Sequence, residues 1–196
     1  MKRGKLLFWV LVGAYLLLAL ADGALTYIGT PDLAYEANPL VAVFGLGWGA
    51  LFIANALVFA LQIVAVNYAF VRYQSPLLPY KEYKEFLSML IYDRPDKFIW
   101  TFYKLPKNWK PFFAQLGYAM GIALPVGRLA IVFQWVLYLA NSPIQNIYNP
   151  FRNWFPYGRF DIVLTAFVGA FLAVYWTFRE CRINRMRMEK SELVTL

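Results

Sequence analysis

Residues 37–71 read ANPLVAVFGLGWGALFIANALVFALQIVAVNYAFV, thirty-five positions without one charged side chain. About 20 mostly apolar residues are enough for a helix to cross roughly 30 Å of hydrocarbon. This stretch is about 15 residues longer than a single span requires. Working outward, three further apolar runs share the chain of 196 residues. The spans are read as 6–28, 40–71, 112–140 and 161–178, and the fold class as an all-α polytopic membrane protein with four transmembrane helices in one membrane domain, residues 1–196. Composition agrees: 61% of residues are hydrophobic and only 15% charged, where soluble domains carry about 25% charged residues.

Three, eight and five Lys or Arg residues flank the basic sides of the spans, sixteen in all: Lys2 to Lys5, Arg72 to Lys110, and Arg179 to Lys190. The other side holds only Arg152 and Arg159, and Arg128 falls inside a span. The positive-inside rule then places both termini in the cytoplasm of a multi-pass cell-membrane protein. The net charge of +8 is read as attraction to anionic lipid at the cytoplasmic face, because the basic residues adjoin apolar runs; nucleic acid is not expected as a partner. Lys2 to Lys5, an apolar core and Ala19-Leu20-Ala21 also match a cleavable signal peptide; the segment is expected to be retained as the first span.

Asn38-Pro39 reads as a helix start, an N-cap acceptor followed by proline at the first helical position. With Gly45, Gly47 and Gly49 close behind, the element is expected to be long and bent, partly re-entrant, or steeply tilted; packing by small residues is the plainer reading. In the loop 72–110, Tyr80, Tyr83, Phe86, Leu87, Leu90 and Ile91 recur at helical spacing, with Lys and Glu on the other face. This predicts a cytoplasmic interfacial helix in the headgroup plane, continued by Phe98 to Tyr103. The outer loop carries Trp154, Phe155 and Tyr157, read as interface anchors. Residues 179–196 are read as a basic extension of the fourth helix.

Four polar side chains fall at one depth. Asp22 lies 17 residues beyond Lys5, Asn55 lies 17 before Arg72, Arg128 lies 18 beyond Lys110, and Asp161 lies 18 before Arg179. At 1.5 Å per residue each stands about 26 Å above the basic boundary. Ionised groups inside a membrane are costly and normally pair or line a pathway. A guanidinium keeps its charge, so Arg128 is predicted to bridge Asp22, Asp161 or both. Pro125 would free a carbonyl nearby. The polar-layer candidates are Asp22, Thr26, Glu36, Asn38, Asn55, Arg128 and Asp161, with Thr165 a turn from Asp161. Three plainer roles stand beside this: Asp22 at the interface, Asp161 as a helix cap, and Arg128 reaching to headgroups.

Asp22-x3-Thr26, followed by Glu36-x-Asn38-Pro39 and a glycine near Gly45, resembles a family of small uncharacterised prokaryotic multi-spanning membrane proteins with an Asp-x3-Thr … Glu-x-Asn-Pro signature. The match covers Asp22 to about Gln62. The resemblance implies that Asp22, Thr26, Glu36 and Asn38 act as a unit. Family members often carry a lysine midway along the second helix; Asn55 stands in that region here, and Arg128 would supply the charge instead. No activity comes with the resemblance.

Histidine is absent and Cys181 is the single cysteine, which excludes an internal disulfide, a Ser-His nucleophile and the usual zinc ligand sets. No catalytic residue, metal ligand or cofactor is assigned. The expected function is a non-enzymatic subunit or scaffold of a membrane complex, with protein partners or a second copy of the chain. The alternatives are an oligomeric cation or small-solute transporter component and, less favoured, an intramembrane hydrolase using Asp22 and Asp161 as a carboxylate pair.

Overall fold

A computed structural model describes residues 2–34, 38–155 and 158–194. Its described residues form helices and loops. The long helices are α1 (Lys2–Gly29), α3 (Trp48–Asn67), α5 (Trp109–Leu139) and α7 (Phe160–Val194). Shorter ones are α2 (Pro39–Ala42), α4 (Tyr83–Tyr92) and α6 (Gln145–Arg152). A π-helical turn, Tyr68–Arg72, prolongs α3, and a 3₁₀ turn spans Phe98–Phe102.

Four helical stretches are long and apolar enough to cross a membrane: Arg3–Gly29, Trp48–Arg72, Trp109–Leu139 and Phe160–Ser191. Only 17–22% of their most apolar windows is buried inside the protein. Phe52, Leu61, Phe167 and Phe171 point outward and are largely exposed. A water-soluble protein would hide such surface, so the bundle is one that lipid surrounds. One end collects the Lys- and Arg-rich segments and is called the basic end; the opposite end carries the α1–α3 and α5–α7 connections.

The middle of the bundle is α5, on which α1, α3 and α7 all pack. Small residues permit the contact. A Cβ on Gly117 would collide with the Ala65 carbonyl of α3, and one on Gly127 would collide with the Thr165 hydroxyl of α7. Both crossings are close because nothing projects from the glycines. Pro125 lies inside α5 and has no N–H to offer the carbonyl of Gly121. Gln62 of α3 turns its amide towards that carbonyl instead, with Nε2 3.5 Å away.

The second span starts later than the sequence reading has it. Asn38 caps α2, its Oδ1 accepting from the Leu40 amide at 3.0 Å, but the helix stops after one turn. Gly45 takes a left-handed conformation (φ 64°), and Gly47 is extended before Trp48 begins α3. The 40–71 span is therefore corrected to a broken element whose spanning part is Trp48–Arg72. Glycine favours this break because it has no Cβ to clash at positive φ. The Trp48 indole donates to the Pro31 carbonyl at 2.8 Å, tying the start of α3 to the end of α1. The fourth helix continues past the span end at 178 to Val194, in line with the reading of the basic tail as its extension.

At the basic end, α4 does form, but its apolar face meets protein. Phe86 and Leu90 are buried with Ala114 of α5 and with Trp176 and Cys181 of α7. This corrects the headgroup-plane reading of that face. The continuous α7 supplies a protein wall: Tyr83 stacks on Phe178 at 4.2 Å, and its hydroxyl lies 2.7 Å from that of Thr177. Asn184 of α7 holds the approach to α4, accepting from the Leu78 amide at 2.8 Å and donating to the carbonyls of Leu78 and Tyr80 at 2.9 and 3.1 Å. The 3₁₀ turn keeps Ile99, Phe102, Tyr103 and Leu105 exposed.

Candidate functional site

The sequence spacing on α1 puts Tyr15, Asp22 and Gly29 seven residues apart, so all three share one face. The same interval separates Gly121, Arg128 and Trp135 on α5. These two seams meet. Arg128 Nη1 donates to Asp22 Oδ2 and Nη2 donates to Asn55 Oδ1. The guanidinium carbon sits 5.7 Å from the Tyr15 ring centre, and the Trp135 ring lies against Gly29. One arginine thus joins α1, α3 and α5 through an anion, an amide oxygen and an aromatic face.

Asn55 is oriented for this by its own helix. Its Nδ2 donates to the Leu51 carbonyl at 2.9 Å, which turns the amide oxygen toward the guanidinium. Tyr15 stacks nearly parallel on Phe59 of α3, with centres 6.0 Å apart and planes at 8°, and this braces the ring that faces the cation. Two donors engaged and a π face beneath match the fork geometry of arginine better than a lysine would.

Asp161 is not a partner of Arg128. Its carboxylate is taken by Arg159, with Nε to Oδ1 at 2.9 Å and Nη2 to Oδ2 at 2.7 Å. Two parallel bonds from a residue two positions away need little extra ordering. Asp161 occupies the first turn of α7, where a negative charge suits the helix dipole. Its backbone carbonyl accepts from Thr165 Oγ1 at 2.7 Å. Of the two acids expected within its reach, Arg128 pairs with Asp22, and Asp161 forms a separate ion pair with Arg159.

The other candidates divide. Thr26 is buried one turn beyond Asp22, and Asn38 caps α2. Glu36 lies outside the described residues. Asp22, Thr26, Asn38, Asn55, Arg128 and Asp161 line one cavity of about 810 Å³ at the end away from the basic one. Its roof is α6, including Tyr148 and Arg152. Burial raises the Tyr148 phenol above its ordinary range, with Arg152 pulling the other way. A second cavity of about 660 Å³ runs between α5 and α7. Arg128, Arg159 and Asp161 line both.

Four contributors escape the sequence reading. Tyr15 and Gln62 could have been found from periodicity: Tyr15 is seven residues from Asp22, and Gln62 seven from Asn55. Arg159 and Arg152 carried no signal beyond lying in the outer loop. Among the described residues, no three of His, Cys, Asp and Glu gather as metal ligands would.

Comparison with known proteins finds no matching family model, no matching curated protein and no matching solved structure.

Proposed function

We propose that the chain is a non-enzymatic subunit or scaffold of a membrane complex, a multi-pass protein of the cell membrane with both termini in the cytoplasm. The observation that carries this is the saturation of the intramembrane charges: Arg128 is engaged by Asp22 and Asn55, and Asp161 by Arg159. Charges so paired hold helices in register, which is the structural use of a buried ion pair. A cation pathway or a shared-proton carboxylate pair needs acids with coordination to spare; among the described residues of the layer, Asp22 and Asp161 each have their own arginine. The likeness to the Asp-x3-Thr … Glu-x-Asn-Pro family belongs to the same reading, with Asp22 and Thr26 as part of a helix-joining unit.

The basic end supports the contacts such a subunit makes. Exposed Ile99, Phe102 and Leu105 stand beside Lys97 and Lys104, with Lys104 over the Trp100 ring at 3.8 Å. Apolar side chains among lysines suit an anionic lipid surface or a partner's membrane-proximal face.

Two measurements test the reading. Affinity isolation from native membranes in a mild detergent is expected to bring a stoichiometric partner or a second copy; a monodisperse lone monomer overturns it. For topology, Cys181→Ser combined with a cysteine at Ser191 or at Asn146 is treated with an impermeant maleimide in intact cells. The Asn146 position is expected to react and the Ser191 position to be protected; the reverse pattern refutes cytoplasmic termini.

A further inference from the structure

We infer that the two cavities together form a binding site for an anionic amphiphile, its phosphate or carboxylate head beneath α6 and its chain in the groove between α5 and α7. The cavity beneath α6 is lined by three arginines, Arg128, Arg152 and Arg159, against two aspartates, Asp22 and Asp161. Two of the arginines face the two aspartates. Among the described lining residues, one positive charge is left in excess, and it falls on Arg152. Among the described residues, the Arg152 Nε is buried without a hydrogen-bond partner. A buried donor of that kind is costly unless an acceptor meets it; a head that draws the half-buried Arg152 side chain toward the cavity it lines supplies one with charge assistance.

The second cavity fits the rest of such a molecule. It meets the first at Arg128, Arg159 and Asp161, then follows α5 back as far as Phe112. From Arg128 to Phe112 is 16 residues, or about 24 Å along the helix, comparable to an extended acyl chain. Its α7 wall is mostly small, with Ala166, Gly169 and Ala170, and its α5 wall is mostly apolar, with Leu116, Met120 and Leu124, so a chain can lie against both helices. A charged end joined to a largely apolar groove matches an amphiphile better than a free ion, which would leave the groove unused, or a neutral lipid, which would leave Arg152 unmet. The inference goes beyond the scaffold reading and does not depend on it.

The test uses the purified full chain in neutral detergent and four probes: a monoacyl phosphate, a fatty acid, a monoacylglycerol of the same chain length, and inorganic phosphate. The two charged amphiphiles are expected to bind, the monoacylglycerol to bind at least tenfold more weakly, and inorganic phosphate not to compete at equal concentration. Arg152→Gln is expected to weaken both charged probes by about tenfold, the scale of one hydrogen bond to a charged group, and to leave the monoacylglycerol unchanged. Ala170→Phe, at an exposed position in the groove, is expected to weaken all three chain-bearing probes. The ratio of the two charged probes on the unaltered protein separates a lipid phosphate from a carboxylate head. Equal binding of monoacylglycerol and charged probes overturns the proposal. So does inorganic phosphate matching the monoacyl phosphate, or indifference to both substitutions.

Discussion

Asp22→Asn and Arg128→Gln, alone and combined, probe the intramembrane pair most directly. The two side chains are 13% and 19% exposed, so water screens neither one fully. Opposite charges in contact at an effective dielectric of about 20 attract by roughly 4 kcal/mol, and desolvation of both ions offsets part of that. Asp22→Asn leaves a guanidinium with an amide and an aromatic ring for company but no anion. It cannot shed its charge, and the expected loss is about 3 kcal/mol, the low end for removing one partner of a buried pair. Arg128→Gln leaves the carboxyl group beside an amide that can still donate to it, so the expected loss is smaller, about 1–2 kcal/mol. The double variant faces one amide with another and restores a neutral hydrogen bond. Its loss is expected to fall short of the summed single losses by about 2 kcal/mol. Unfolding by SDS titration in mixed micelles, followed by circular dichroism, measures all four proteins. Single losses below about 0.5 kcal/mol, the level of an ordinary surface change, or a strictly additive double variant refute the reasoning.

Gly117→Val pushes a branched side chain into the Ala65 carbonyl and is expected to cost about 2–3 kcal/mol by overpacking the α3–α5 crossing, read in the same SDS titration. Asn184→Leu removes the bonds to Leu78 and Tyr80; trypsin is expected to cut faster at Lys81 and Lys84 while the rest of the protein resists, and unchanged cleavage counts against the pin. Gln62→Leu removes an amide whose Oε1 is buried without a partner among the described residues and whose bond to Gly121 is long. Its effect is expected to stay within about 1 kcal/mol in either direction, and a larger loss shows that the Gln62 contact across the proline break matters more than its length indicates.

The four spans were legible because hydropathy and length alone determine them. Arg128 with Asp22 was legible because a permanent cation in lipid has few acceptors within reach, and counting residues from the basic boundary put Asn55 at the same height. Three other features were legible only in part. Gly45, Gly47 and Gly49 signalled a bend or re-entrant stretch, but hydropathy is blind to the positive φ of Gly45 and could not place the restart at Trp48. The amphipathic pattern of α4 is the same whether its apolar face meets lipid or the flank of α7, and only the unbroken run of α7 to Val194 decides for protein. Depth alone could not choose between Asp22 and Asp161 as the partner of Arg128, because it takes no account of sequence proximity. Arg159, two residues from Asp161, reaches that acid with two bonds.

The ion pair joins positions 106 apart in the chain, and this has a bearing on biogenesis. At about 5–20 residues per second, a ribosome releases Arg128 roughly 5–20 s after Asp22. Through that interval the first two apolar helices wait in the bilayer or beside the insertion machinery with an acid uncompensated and no central helix to join. Arrival of α5 ends the wait for both at once, since it brings the counter-charge and the surface on which its predecessors assemble. A truncation before Arg128 would therefore strand a short-lived two-helix fragment, prone to quality control, instead of a smaller version of the bundle.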